Sequence, residues 1–201
     1  YTIIENKLLP SLKENYRGLT YGKAGKGIDQ DRDLGALYGL GLIAMLIIYV
    51  MIASLLRSYA QPLVIMTAVP FGAAGALIGH FVLGHNLSFI SMFGIIALSG
   101  VVVNDSLILI DRYNRYRRET DMNAAEAILA AAKRRFRPIV LTTATTALGL
   151  TPMLFETSIQ AQFLIPMAVS LASGIVFASI IILFLVPALV LIEDDFGMRT
   201  R

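Results

Sequence analysis

One carboxylate and its neighbouring amide lie within a long apolar stretch of this sequence. Asp105 and Asn104 stand in SGVVVNDSLILIDRYNR, residues 99–115, which is otherwise rich in Val, Leu and Ile. A charge near the centre of a bilayer-spanning helix costs at least about 2.5–3.5 kcal/mol on insertion scales, and such residues usually mark ion or proton pathways. The sequence therefore predicts a proton-relay role for Asp105 with Asn104 beside it. The alternative is that Asp105 reaches toward the membrane interface.

Three threonines of a later apolar stretch are predicted to lie at a similar depth. Along the helix axis, Asp105 lies about 10 Å from Arg112, the basic residue that follows its apolar stretch. The threonines lie about 6–12 Å from Pro138, where the next apolar stretch begins after the basic segment. Two antiparallel helices would then bring a carboxylate, an amide and hydroxyls together as a polar seam. Alternatively, each hydroxyl bonds to the backbone of its own helix. The threonines are Thr142, Thr145 and Thr146.

The stretches that hold these residues are long and apolar enough to cross a membrane. The 201 residues are 56% hydrophobic and 15% charged, with a mean hydropathy of +0.70, whereas soluble domains have about 25% charged residues. A spanning helix needs about 20 mostly apolar residues. We predict an all-α membrane protein, a helical transmembrane bundle with a short α+β extracytoplasmic tail at its amino end. The five predicted spans are residues 34–56, 63–83, 87–110, 138–155 and 163–192.

Small residues at four-residue spacing indicate where these helices contact one another. They are Gly72 with Ala76, Gly75 with Gly79, and Ser170 with Gly174 and Ala178. Pro70, Pro152 and Pro187 predict kinks, because proline removes a backbone donor.

Positive charge predicts the orientation of the bundle. Lys and Arg concentrate between residues 111 and 137, and short basic loops stay on the cytoplasmic side. The amino end is then periplasmic and the carboxyl end cytoplasmic, so the net charge of +3 reflects membrane topology and not nucleic-acid binding.

The segment from residue 121 to 137 is predicted to be a cytoplasmic amphipathic link. Asn123 followed by Glu126 resembles a capping box, and the basic end of the segment suits anionic lipid of the inner leaflet. An ordinary solvated linker helix is the alternative. The predicted apolar stripe comprises Ile128, Leu129, Ala132 and Phe136.

Residues 1–33 read as a short helix, YTIIENKLLPSLKENY, followed by a strand and a Gly-rich turn in GLTYGKAGKG. One helix and one strand cannot bury a core alone. The segment also has no export signal although its amino end is predicted to be outside. We therefore expect the chain to be a fragment, with residues 1–33 the end of a larger extracytoplasmic domain.

Several stretches together resemble the carboxyl-terminal half of resistance–nodulation–cell division (RND) efflux transporters. They are SGVVVNDSLILIDRYNR, NAAEAILAAAKRRFRPIVLTTATTALGLTPML, VPFGAAGALIGH and FLVPALVLIEDDF. The resemblance implies a bacterial inner-membrane, proton-driven antiporter that exports drugs or other amphiphilic compounds. It also implies a homotrimer of twelve-span protomers with a periplasmic adaptor and an outer-membrane channel. Residues 1–33 would be the remnant of the periplasmic porter domain, residues 34–201 would be the transmembrane domain, and the amino-terminal half of the same transporter would be the nearest partner.

The resemblance also assigns relay residues. Thr142 matches a family threonine of the proton relay, and Arg135 matches a family arginine at the cytoplasmic mouth. Asn104 and Asp105 correspond by position only, because multidrug members have Lys and Asn there. Thr145 and Thr146 are possible support for the relay. The paired aspartates of the family belong to the amino-terminal half.

Other functions remain open from the sequence. One alternative is a protein-export accessory subunit of the same superfamily, which would share the fold. Another is an intramembrane aspartyl protease, but that enzyme needs two embedded carboxylates, and only Asp105 qualifies here. His80 and His85 could serve protons or metal near the outer boundary. We expect a transporter and not an enzyme, with no cofactor or resident metal, and no transport by these 201 residues alone. A heavy-metal exporter could use thioethers as soft ligands, namely Met45, Met51, Met66, Met92, Met153 and Met167.

Overall fold

The computed structural model describes residues 26–196, and their side chains from residue 35 onward. The described chain is helical, with seven helices joined by short turns. The predicted helix at the amino end and the predicted strand lie outside the described residues, and the last two residues of the predicted Gly-rich turn, Lys26 and Gly27, begin the first described helix. The helices are α1 (Lys26–Leu56), α2 (Ala60–Met66), α3 (Ala68–Leu83), α4 (Phe89–Glu119), α5 (Ala124–Leu154), α6 (Ile159–Gln162) and α7 (Ile165–Asp195).

The chain divides into two units, residues 1–39 and residues 40–201. Of the first unit, the described part is the beginning of α1, which starts at Lys26, ahead of the predicted span that begins at residue 34. All packing described below belongs to the second unit.

Four segments of the described chain are long and apolar enough to cross a membrane: Gly35–Leu56, Ala60–Leu83, Phe89–Glu119 and Ile165–Asp195. They correspond to four of the five predicted spans. The remaining one, residues 138–155, forms the second half of α5. Its many threonines and two prolines make it less apolar than the others. The described residues thus confirm an all-helical bundle with four candidate membrane spans. The predicted span 138–155 remains a prediction.

The second apolar segment is interrupted at Thr67. Pro70 lies in the first turn of α3, and its ring would clash with the carbonyl of Met66 in a continuous helix. Instead α2 ends at Met66, and Thr67 closes it. The Thr67 backbone N–H donates to the carbonyl of Leu63 at 3.1 Å, and its hydroxyl donates to the carbonyl of Val64 at 2.6 Å. The predicted kink is therefore a break between two helices.

α7 is the helix against which α3, α4 and α5 pack. Close approach depends on small side chains, because bulkier ones would separate the backbones. Gly79 of α3 lies against Ser173, and Gly174 of α7 lies against Leu98 of α4. The predicted contact residues are all buried: Gly72, Gly75, Ala76, Gly79, Ser170, Gly174 and Ala178.

α5 begins with the capping box predicted at Asn123 and Glu126. Asn123 Oδ1 accepts a hydrogen bond from the Glu126 N–H at 2.9 Å, and Glu126 Oε2 accepts one from the Asn123 N–H at 3.1 Å. The helix then continues through Pro138 to Leu154. Most of the predicted link and nearly all of the predicted span 138–155 are therefore one helix.

The buried face in the first half of α5 differs from the predicted stripe. Ile128 is buried, but Leu129 is 57% exposed and Phe136 is 54% exposed. Ala127 and Ala131 are fully buried instead. Alanines allow α5 to approach α4 and α7 closely. The prediction missed this face because it was based mainly on large apolar residues.

A reciprocal amide pair joins α2 to α4. The Gln61 side-chain amide donates to Asn114 Oδ1 at 2.9 Å, and the Asn114 amide donates to Gln61 Oε1 at 2.7 Å. Both side chains are buried, so each amide group depends on the other for its hydrogen bonds.

The Asn114→Ala substitution should destabilise the protein by about 1–3 kcal/mol, because it leaves the buried Gln61 amide without its hydrogen-bond partner. Thermal unfolding in detergent would show the loss as a lower midpoint than that of the wild type. The double substitution Gln61→Leu with Asn114→Leu removes both partners and is the matched control. It should lose less than Asn114→Ala, and an equal loss would show that packing, and not the hydrogen bonds, makes the difference.

Candidate functional site in the membrane helices

Asp105 lies inside the bundle. Its side chain is 5% exposed, and its neighbours on the buried face of α4 include Val102 and Leu109. No group between residues 35 and 196 donates a hydrogen bond to its carboxylate within hydrogen-bonding distance. The structure therefore places an ionisable group in a largely apolar environment inside the bundle.

Arg135 of α5 supplies the positive charge that acts on Asp105. The pair forms no direct salt bridge among the described residues, where the ion pairs are Arg115–Glu119 and Arg117–Asp194. The Arg135 Nε atom is itself buried and has no hydrogen-bond partner there. Buried charges usually require both an opposite charge and hydrogen bonds, so the Asp105 carboxylate lacks the direct contacts that would stabilise its charged form.

Asn104 points away from the bundle interior. It precedes Asp105 on α4, and successive residues of a helix are turned by about 100°. Asn104 is exposed, so none of the described helices packs over its side-chain amide. An amide at membrane depth is costly when it faces lipid, which suggests that another part of the protein covers this face.

Two of the three predicted threonines bond to their own helix. The Thr142 hydroxyl donates to the carbonyl of Pro138 at 2.9 Å. The Thr145 hydroxyl lies 2.9 Å from the Leu141 carbonyl and 3.0 Å from the Thr142 carbonyl. Thr142 and Thr145 are exposed, and Thr146 is partly buried. The seam with Asp105 is therefore not formed among the described helices.

A different threonine bridges two helices. Thr143 Oγ1 lies 2.5 Å from Ser179 Oγ, joining α5 to α7. The Ser179 hydroxyl also lies 2.7 Å from the carbonyl of Ile175. Sequence reasoning selected Thr142 from the spacing of its neighbours and missed Thr143. The available signal was Ser179, a polar residue that directly follows the small contact residue Ala178 on α7.

Sequence reasoning also missed a polar cluster at the predicted outer end of the bundle. His80 is 2% exposed, and Ser91 and Ser170 are fully buried. The His80 ring has Nδ1 2.9 Å from the Ala76 carbonyl and Nε2 2.9 Å from Ser91 Oγ. The Ser170 hydroxyl donates to the Ser91 carbonyl at 3.0 Å. These bonds join α3, α4 and α7, and they explain why an apolar region tolerates a histidine.

The same three helices hold no evident metal site. Within the part of the chain that is described, no three or more His, Cys, Asp or Glu side chains are grouped as metal ligands. His80 is engaged in the cluster with Ser91, and His85 is exposed.

The arrangement can be compared with known proteins. The model of the AcrB/AcrD/AcrF family matches residues 10–193. Among solved structures, the crystal structure of a heavy-metal efflux pump superposes with a TM-score of 0.73 and 26% sequence identity. The match covers 96% of this chain and 19% of that one. The chain therefore spans about a fifth of the length of the pump that it matches.

Proposed function

Because the chain belongs to the AcrB/AcrD/AcrF family of RND transporters, we propose that it forms the carboxyl-terminal membrane part of a proton-driven efflux pump. In this proposal the pump exports drugs or other amphiphilic compounds from a bacterial inner membrane. The chain supplies five spans, with its amino end periplasmic and its carboxyl end cytoplasmic.

The observation that carries the proposal is the burial of the Asp105 carboxylate inside the helix bundle. Asp105 is buried in a helix of membrane-spanning character, and Arg135 has a buried Nε atom without a partner among the described residues. Ionisable groups that are retained at such depth usually serve proton or ion movement. A purely structural position would favour an apolar residue, because replacing a buried charge by one is often stabilising.

Exposed polar groups near this pair suggest where the rest of the relay lies. Asn104, Thr142 and Thr145 all face outward. A secondary transporter works by movement of one membrane repeat against another, with the coupling site between them. We therefore place the amino-terminal half of the transporter against this face, where its carboxylates would meet Thr142 and Arg135. On this proposal the 201-residue chain alone transports nothing.

The assembly follows from family membership. We propose a homotrimer that works with a periplasmic adaptor and an outer-membrane channel. Membrane lipid surrounds the bundle, since large apolar side chains such as Leu46, Phe81 and Leu148 are exposed on its helices.

A heavy-metal substrate is the second candidate. One solved structure that matches this chain is described as a heavy-metal efflux pump, and methionine thioethers are suitable soft ligands. We keep amphiphilic compounds as the first candidate because the family resemblance of the sequence implies them.

Reconstitution of the complete transporter in liposomes would separate the two substrates. With an imposed pH gradient, ethidium should be transported and Cu(I) should not, and dissipating the gradient should stop transport. Transport of Cu(I) alone would assign the pump to metal export. Transport of ethidium that persists without any ion gradient would contradict proton coupling.

The orientation can be tested with introduced cysteines, because this chain contains none of its own. A membrane-impermeant thiol reagent should label an Asn123→Cys variant only from the cytoplasmic side, since basic residues flank it. The exposed His85 lies in the turn at the opposite end of the bundle, so His85→Cys is the matched control. It should be labelled only from the periplasm, and the reverse pattern at both sites would invert the topology.

A further inference from the structure

A groove between α5 and α7 lies beside the basic part of α5. Its walls are Ala132, Lys133 and Phe136 of α5 and Leu183 and Phe184 of α7, and its volume is about 330 Å³. We call it the α5–α7 groove. It lies on the surface of the bundle, away from Asp105, which is buried.

The groove has an exposed aromatic wall. Phe136 is 54% exposed and Phe184 is 74% exposed. The apolar surface continues beyond the groove on both helices, because Val140 lies one turn from Phe136 and Ile180 lies one turn from Phe184. Val140 is 44% exposed and Ile180 is 55% exposed. This strip continues for about 6 Å on each helix, and its apolar character suits the first part of an acyl chain.

Positive charge borders the same groove. Lys133, Arg134 and Arg137 are all exposed, and Lys133 lies about one helical turn from both Phe136 and Arg137 by its spacing. Neither of the ion pairs found between residues 35 and 196 involves any of the three. An anion that approaches this end of α5 would therefore meet uncompensated cations.

We propose that the α5–α7 groove binds an anionic phospholipid. The phosphate lies at Lys133 and Arg137, and one acyl chain follows Phe136 and Phe184 toward Val140 and Ile180. Basic residues at the inner membrane surface attract anionic headgroups, each contributing about fivefold in affinity. Burial of a chain against aromatic side chains adds an apolar contribution. This site does not depend on the proposed proton coupling.

The aromatic wall and the neighbouring cations together favour an anionic phospholipid over other occupants of the groove. Free phosphate would use the cations but not the aromatic wall, and a zwitterionic lipid would use the wall but gain little from the cations. Another segment of the transporter could cover the wall instead, in which case the groove would not be accessible to lipid.

Native mass spectrometry of the complete transporter in detergent tests the proposal, with phosphatidylglycerol and phosphatidylcholine as the two probes. The wild type should bind phosphatidylglycerol more tightly. Lys133→Gln should reduce that preference by about fivefold. Phe184→Ala should weaken both lipids to a similar extent, because it shortens the shared apolar wall. Excess inorganic phosphate should not displace the lipid.

Arg118→Gln is the matched control, since Arg118 is an exposed cation at the end of α4 beside Glu119 and outside the groove. It should leave both affinities unchanged. Equal binding of the two lipids by the wild type would overturn the proposal, as would an equal effect of Lys133→Gln and Arg118→Gln. Binding that is insensitive to Phe184→Ala would show that the lipid lies elsewhere. Displacement by phosphate would show a simple anion site.

Discussion

The Asp105→Asn variant of the complete transporter is expected to reach the membrane at wild-type levels and to lose most of its export activity. Asn has the shape of Asp but cannot ionise, so the buried site keeps its volume and loses its charge. Asn carries no charge, so the substitution does not add to the cost of inserting this helix into the membrane. Impaired folding would therefore not explain a loss of transport.

Drug resistance of cells that express the variant provides the measurement, with the amount of protein in the membrane determined in parallel. If Asp105 carries the driving proton, export should fall by at least about tenfold. Asp111→Asn is the matched control, because Asp111 is an exposed carboxylate on the same helix. It should remain active. Wild-type resistance with Asp105→Asn would make Asp105 a structural residue.

The second large effect is expected for Gly94→Ala. A Cβ atom at Gly94 of α4 would lie 2.7 Å from the Met167 carbonyl oxygen and 2.7 Å from Ser170 Cβ on α7. These separations are too short for carbon, and one of the contacts is backbone, so α4 and α7 must move apart. Overpacking of this kind costs about 1–3 kcal/mol, and separation of the helices would also strain the hydrogen bond between Ser170 and Ser91.

Gly100 offers a control within the same helix. A Cβ atom added at Gly100 would meet no neighbouring atom within 4 Å. The residue is also exposed, and Ala forms helices better than Gly by up to about 1 kcal/mol. Thermal unfolding in detergent should therefore show a lower midpoint for Gly94→Ala and an unchanged or higher one for Gly100→Ala. Equal midpoints would mean that α4 and α7 do not pack as closely as these distances require.

The helices of the bundle were largely predictable, because bilayer-length apolar segments leave few alternatives. The contact faces of α3 and α7 were also predictable from small residues such as Gly79 and Gly174. The break at Thr67 was predicted only as a kink, since Pro70 indicates where a helix is perturbed but not whether it ends. The buried face of α5 was missed because Ala127 and Ala131 carry little weight in an apolar pattern.

The candidate site was predictable in part. Asp105 was identified because a carboxylate in an apolar run is costly, and the structure places it inside the bundle. Its charge partner among the described residues is Arg135, which the family resemblance had named. The orientation of Thr142 was not predictable, because a hydroxyl can bond to the preceding carbonyl of its own helix without any outside partner.

Cross-helix polar pairs were the least predictable feature. Gln61 and Asn114 are 53 positions apart in the sequence, and no local pattern connects them. Nor did the spacing of the threonines distinguish Thr143, which contacts Ser179, from Thr142, which does not. Such pairs follow from how the helices pack, which periodicity alone does not determine.

The most direct measurement of the central claim is substrate-dependent proton movement in liposomes that contain the complete transporter. A pH-sensitive dye inside the vesicles reports protons while substrate transport is followed in the same sample. The wild type should move protons in step with substrate, and Asp105→Asn should bind substrate but move neither. Proton movement by Asp105→Asn at the wild-type rate, coupled to substrate as before, would contradict the assignment of Asp105 to the relay.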